Sequence, residues 1–283
     1  MSQIESLLRL SVFVGLLVAL GTWELVAPRR RLVASKPVRW FSNIALVALN
    51  SVAIRLFFVL GLVGVAAHAA SRRWGVLNNV ELPPLLEVVL AVICLDLAVY
   101  LQHVMFHAVP LLWRLHMVHH ADPDFDVTTG LRFHTLEIGI SLAIKASAVV
   151  LLGAAPLAVL VFEVLLNATS MFSHSNVRMP PGWDALLRLF VVTPDMHRVH
   201  HSMNPTETNS NFGFNAPWWD YLFGTYRSAP ACGHEQMRIG LDHISPDRAT
   251  WLPWLLALPF IRGTGRYPPS HRDDPSPRAD TRT

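Results

Sequence analysis

Apolar residues in this chain come in long, nearly unbroken stretches rather than in alternation or at 3.6-residue spacing, which predicts helices apolar all round. The first stretch, Leu7 to Val26, matches the roughly 20 helical residues needed to cross a bilayer core. Its basic residues follow it rather than precede it, and no A-x-A cleavage site is evident, so the pattern fits a span better than a signal peptide. A second stretch, Phe41 to Ala70, is interrupted by Asn43, Asn50, Ser51 and Arg55, and Arg55 must then face protein or snorkel. After a turn-rich segment from Gly75 to Pro84, a third stretch from Leu85 to Leu101 carries Asp96. The fourth, Ile138 to Phe172, exceeds one span and has Gly153 and Pro156 near its middle, which predicts a helical hairpin entering and leaving on one side. Arg178 to Tyr226 is polar and rich in Pro, Asn, Trp and Gly, as expected for a cap of short helices and ordered loops. Trp251 to Ile261 is too short to span and fits an interfacial helix. Gly263 to Thr283, dominated by Pro, Arg, Asp and Ser, reads as a disordered tail. No internal repeat is evident.

Composition strengthens the membrane reading. Hydrophobic residues make up 52% of the chain and charged residues 15%, against about 25% charge in ordinary soluble domains. The formal charge of +3 does not indicate nucleic-acid binding, because the cations are not gathered on a polar face. Arg29, Arg30, Arg31, Lys36 and Arg39 instead flank the first span and outnumber Arg72 and Arg73 in the next loop, which places the first loop in the cytoplasm and every histidine cluster with it. Cys94 and Cys232 form neither a disulfide framework nor a CxxC pair.

The candidate chemistry lies in histidine. Ten of the 14 histidines fall between His103 and His201, and eight of those ten are clustered. His103 and His107 are one helical turn apart, while His116, His119 and His120, like His197, His200 and His201, have i, i+3, i+4 spacing. Such groups aim at least two rings at one point, and each adjacent pair can serve neighbouring ions. Eight imidazoles exceed the four bonds of a structural zinc, so two ions are the economical reading. Imidazole suits iron, zinc, copper or nickel and argues against calcium or magnesium. His134 and His174, at the two ends of the predicted hairpin, can each complete a coordination shell. His68, His234, His243 and His271 are expected to be structural or solvated. A carboxylate is expected to fix the tautomer of a bound imidazole. Asp96, seven residues before His103 on one helical face, is the leading candidate, with Glu137, Glu163, Asp124 and Asp195 also near clusters or span ends.

DLAVYLQHVMFH, LWRLHMVHHADPDFDVTTGLRFHTLE, FSHSN, TPDMHRVHHS and WWDYLFGTY together resemble the fatty acid hydroxylase and sterol desaturase superfamily over roughly Leu85 to Tyr226. One departure is Val104, where many relatives have arginine in an HRxxH motif; the histidines themselves are retained. The resemblance implies an all-α, polytopic membrane fold of about four to five transmembrane or hairpin helices, with a cytosolic helical cap carrying the metal site. It also implies two iron ions, replaceable by zinc on purification, held by the eight clustered histidines, with His134 and His174 where relatives also keep histidines. The implied reaction is hydroxylation or desaturation of a lipid by O2, with sterol desaturation or methyl oxidation as the alternative to fatty-acyl chemistry. The expected division is 1–83 as an N-terminal transmembrane region, 84–228 as the catalytic domain, 229–262 as a C-terminal cap or interfacial helix, and 263–283 as the tail. No nucleotide fingerprint, haem attachment motif or ferredoxin-like cysteine run occurs, so an external electron-donor protein is expected. The basic loop from Arg29 to Arg39 could dock that donor or anionic membrane lipids. A histidine-rich metal transporter would instead carry ionisable residues along a path through several spans, and a zinc hydrolase would carry HExxH.

Overall fold

The computed structural model describes residues 3–261 and 263–267. Among these, regular structure is helical, apart from isolated bridges pairing Pro28 with Val177 and Ser202 with Ile239. The long helices are α1 (Gln3–Val26), α2 (Lys36–Phe57), α3 (Gly61–Ser71), α4 (Pro84–Ala108), α5 (Pro110–His120), α6 (Thr135–Leu152) and α7 (Pro156–Ser173). Seven short ones follow: α8 (Pro181–Leu187), α9 (Pro194–His200), α10 (Pro205–Thr208), α11 (Trp218–Leu222), α12 (Gly233–Gln236), α13 (Pro246–Ala249) and α14 (Leu252–Ala257). Five segments are long and apolar enough to cross a membrane: α1, α2 with α3, α4, α6 and α7.

Proline and glycine set the breaks. Pro84, Pro110 and Pro156 stand in the first turn of α4, α5 and α7, where a missing N–H costs nothing. The expected hairpin is α6 and α7, turned by Gly153 in the left-handed region at φ 73°. Gly75, at φ 88°, lies so close to this turn that a Cβ there would sit 2.2 Å from the Gly153 backbone nitrogen. The second apolar stretch is two helices rather than one, because a straight helix of 36 residues would be about 54 Å long, well beyond a core of roughly 30 Å. Arg55, near the break, is exposed, as a snorkelling side chain would be.

Helix α4 packs against α5, α6 and α7, while α3 packs on α6 and α7 and α1 on α7. Ala66, Ala91 and Ala158, all fully buried, let these helices approach closely. Outward-facing Leu25, Phe57, Leu85 and Leu151 remain exposed, as lipid-facing residues would be. Helices α1 and α7 run parallel: Arg9 meets Glu163 at 2.7 Å, and further along Glu24 accepts from the Asn176 backbone N–H at 2.7 Å. Their C-terminal ends, the ends of α4 and the starts of α2 and α6 therefore share one side, which the short helices cap.

Two C-terminal segments pack onto the cap, and the second differs from the sequence expectation. Leu255 of α14 is fully buried with Leu46, Trp113 and Met117, so one face of this helix joins the cap core, while Trp251 and Phe260 beside it stay exposed. Tyr267, in the stretch expected to be disordered, is buried and stacks on Trp113 at 5.7 Å, and Trp113 Nε1–H donates to the Thr264 carbonyl. The rest of that expected tail, 268–283, lies outside the described residues.

Candidate metal centre

Four elements bring nine imidazoles together, none more than 4% exposed. The last two turns of α4 carry His103 and His107, α5 carries His116, His119 and His120, the C-terminal end of α7 delivers His174, and α9 with its C-cap supplies His197, His200 and His201. Their ring nitrogens form two groups, within each of which the ligand atoms lie within 4.8 Å of one another. His103, His107, His116, His120 and His200 make one; His119, His174, His197 and His201 make the other. Consecutive helical residues point about 100° apart, and accordingly His119 and His120 part company between the groups, as do His200 and His201.

The hydrogen bonds fix which nitrogen is free. Nδ1 of His103 lies 2.8 Å from the Phe212 carbonyl, that of His200 2.8 Å from Ser210, that of His174 2.7 Å from Ser170 and that of His119 3.2 Å from Arg132. A carbonyl can only accept, so each Nδ1 carries the proton and each Nε2 keeps a bare lone pair. His116 Nδ1–H donates to Glu137 Oε1 at 2.6 Å with the same result. The bare nitrogens then face one another: His103 and His116 Nε2 are 3.2 Å apart and His119 and His174 Nε2 3.1 Å, and His197 Nε2 lies 3.0 Å from that of His174. Lone pairs opposed at this distance repel unless a cation stands between them. Both ring nitrogens of His107 and His201, and Nε2 of His120 and His200, are buried without a partner. The donor set therefore fits metal ions, and imidazole nitrogen fits transition metals.

Electrostatics agree. Burial, the largest cause, drives His119, His120, His197 and His201 well below the ordinary histidine range, and holds His174 at about 4 and His200 at about 3. At neutral pH these rings are uncharged, the form that ligates.

Supporting groups partly follow the sequence reading. Glu137 binds His116 directly. Asp96 does not touch a histidine: it accepts from Trp219 Nε1–H at 2.9 Å and from the Asn215 and Ala216 backbone. It thereby braces the chain beyond Phe212, one step removed from the imidazoles, because its carboxylate meets the returning cap segment before it can reach His103. His134 stands outside both groups, capping α6 by accepting from Leu136 N–H while its Nε2–H donates to the Leu256 carbonyl at 3.3 Å. Asp124 accepts from Val33 and Ala34 N–H, and Asp195 pairs with Arg29 and Arg198. Glu163 pairs with Arg9.

Other supports escaped sequence reasoning. Asp220 accepts from Phe212 and Gly213 N–H at 2.8 Å, and Asn211, at φ 51°, donates to the Met196 carbonyl; together they aim the Ser210 and Phe212 carbonyls at His200 and His103. Arg39, fully buried, grips Asp122 at 2.6 and 2.9 Å and Asp126 at 2.7 Å, anchoring the wholly buried loop that follows His120. Burial opposes the Asp122 carboxylate, but Arg39 and Arg132 outweigh it and hold its pKa at about 2. The alternating acids of ADPDFD were the available signal. Arg29 and Arg30 are likewise engaged, with Asp195 and with the Met237 carbonyl, so much of the basic loop is spent inside the protein rather than offered to a partner.

A cavity of about 320 Å³ opens from this centre between α1, α2, α4, α6 and α7; His103, His116 and Glu137 line one end, and Phe13, Ile54 and Leu166 are among its apolar walls. Comparison with known proteins agrees with this geometry. Residues 88–225 match the family described as fatty acid hydroxylase. The chain is 34% identical over 149 residues (52% of this chain, 44% of the relative) to ornithine lipid hydroxylase OlsE of Rhizobium tropici. It is 30% identical over 149 residues (52% and 31%) to alkylglycerol monooxygenase of Homo sapiens, and 29% identical over 152 residues (53% and 50%) to cholesterol 25-hydroxylase of Rattus norvegicus. The chain thus spans about a third to a half of the length of these curated relatives. No solved structure matches it. All nine converging histidines lie inside residues 88–225, the stretch that matches the fatty acid hydroxylase family.

Proposed function

We propose that this protein is a membrane-bound, non-haem di-iron oxygenase that hydroxylates a lipid, taking electrons from a separate carrier protein. The observation that carries the reading is the pair of adjoining imidazole groups with bare Nε2 atoms, one of them opening into a cavity among membrane-spanning helices. Two iron ions held there would supply, with O2, two electrons and two protons, the oxidising power that converts C–H to C–OH and releases water. His103, His107, His116, His120 and His200 would hold one ion and His119, His174, His197 and His201 the other. The chain's own work is positioning. Carbonyls and Glu137 lock the tautomers, and Phe133, stacked 4.4 Å from His119, and Phe212, 5.6 Å from His103, shield the rings from water. The apolar cavity wall orients an alkyl chain. Hydroxylation rather than desaturation is supported by relatives named hydroxylases and monooxygenases.

The histidine side faces the cytoplasm in this reading, since Arg29, Arg30, Arg31, Lys36 and Arg39 lie on it and Arg72 and Arg73 on the other. That orientation suits a soluble donor of electrons.

The test is anaerobic purification from a membrane host, with iron and zinc counted per chain beside His119→Ala, His200→Ala and the double variant. Expected are about two ions in the parent, about one in each single variant, and lipid hydroxylation with 18O2 label in the product. Full metal retention in the double variant, or none in a well-folded parent, overturns the assignment.

A further inference from the structure

Beyond the histidine end, the cavity is not a plain hydrocarbon slot. Glu137, Ser141 and Lys145 line it at i, i+4 and i+8 of α6, a polar stripe rising about 12 Å from the histidine centre. Lys145 lies past the midpoint of a span, partly buried, and among the described residues makes no hydrogen bond and no ion pair within 4 Å. Glu163, the carboxylate that acts on it across the cavity, is already held by Arg9 at 2.7 Å. Beside the stripe, Gln102 of α4 meets Ser141 Oγ at 3.0 Å and the other polar atom of its amide is buried without a partner; with the amide turned to accept from the Ser141 hydroxyl, its N–H is free to donate to a ligand carboxylate. An unpaired cation at this depth is costly and marks a binding function by default; a negative charge brought by the ligand would offset that cost.

We propose that Lys145, with Gln102 and Ser141, is a specificity site for the carboxylate of a single-chain acidic lipid whose alkyl part extends toward the histidine centre. This rests on the cavity being the substrate site. Two features choose the ligand class. Of the four charged groups in the lining, Arg9 is paired with Glu163, and Glu137 leaves a standing negative charge that disfavours a dianionic phosphate, whereas the one remaining cation, Lys145, matches one negative charge. A volume of about 320 Å³ is at the small end of ligand pockets, which suits one chain rather than a two-chain glycerolipid. A neutral sterol would leave Lys145 without a counter-ion.

The experiment measures binding of radiolabelled oleate and oleyl alcohol, which share a chain and differ in head charge, to the full-length protein in non-ionic detergent. Wild type is expected to favour oleate by at least about tenfold, Lys145→Met to lose that preference while binding the alcohol normally, and Lys145→Arg to keep it. Equal affinities in wild type, or undiminished oleate binding by Lys145→Met, overturns the proposal. If Lys145→Met binds neither lipid through misfolding, Gln102→Leu decides: oleate weakened with the alcohol unchanged supports the site, and no change overturns it. Oleate bound as expected but never oxidised would sink the proposed reaction and leave this inference standing. Oxidation of neutral lipids by a protein without head preference would do the reverse.

Discussion

Stripping the metal should make this protein acid-sensitive in a window set by its histidines. His200 titrates at about 3 and His174 at about 4 in the folded chain, and burial lowers His119, His120, His197 and His201 as well. In the unfolded chain each takes up a proton near 6.5. Below that pH the unfolded state binds more protons, so stability is fully present above about 6.5 and is lost as pH falls toward the folded values. Each buried imidazole contributes about 1.4 kcal/mol per pH unit in that window. His200 and His174 alone then withdraw about 3 kcal/mol between pH 7.5 and 5.5, and all six about 8 kcal/mol, comparable to the whole stability of a typical domain. Bound metal reverses the balance, because protons must then displace an ion. Thermal unfolding followed by tryptophan fluorescence, with chelator-treated and metal-loaded protein compared from pH 7.5 to 5.5, reads the effect directly. The stripped protein should lose thermal stability steeply across the window, while the loaded protein holds until the ions leave. A flat profile for stripped protein, or superimposed profiles, would refute the reasoning.

Four substitutions probe the supports. Glu137→Gln removes the carboxylate from His116 and should weaken metal retention about 10–100-fold in a chelator competition, with the fold intact; unchanged retention would deny Glu137 that role. His134→Ala should keep the full metal complement and cost only about 1 kcal/mol of helix cap, whereas loss of an ion would return His134 to the ligand set. Gly75→Ala should destabilise by more than the roughly 1–3 kcal/mol of a left-handed non-glycine residue, since its Cβ also meets the α6–α7 turn; a melting curve like the parent's would contradict the close approach. Arg39→Met leaves Asp122 and Asp126 buried without their cation and should cost about 3–5 kcal/mol, partly recovered by adding Asp122→Asn and Asp126→Asn; no recovery would mean that the arginine acts through packing alone.

What the sequence made legible is what depends on local spacing. Apolar run length gave the spans, Gly153 and Pro156 gave the hairpin, and i, i+3, i+4 spacing gave the division of adjacent histidines between two groups. His134 and His174 show where local reasoning stops. Both sit at ends of the hairpin, yet only His174 turns inward: its Nδ1–H is captured by the Ser170 carbonyl, whereas the His134 ring is taken up by capping α6. Two histidines with similar addresses part company over one backbone hydrogen bond each. Asp96 fails for a related reason, because helical phase puts it beneath His103 but cannot foresee that Trp219, 123 residues later, arrives first.

The remaining supports are invisible to any reading of side-chain type, since four of the five atoms that set histidine tautomers are main-chain carbonyls, those of Phe212, Ser210, Ser170 and Arg132. A carbonyl belongs to every residue; what matters is the direction it is made to point. The residues that aim it are polar and buried, and several are charged: Asp220 for the first two, and Arg39 with Asp122 for the loop leading to the fourth. Arg39 itself reads as one of a set of basic flanking residues, and only the fold reveals that it is fully buried, 83 positions from its carboxylate partner. Buried charges of this kind are a poor way to gain stability and a good way to fix one arrangement. Their concentration around the imidazoles is what holding nine buried rings in two converging groups requires, and it sets buried charges beside the histidines that line one end of the cavity in an otherwise apolar chain.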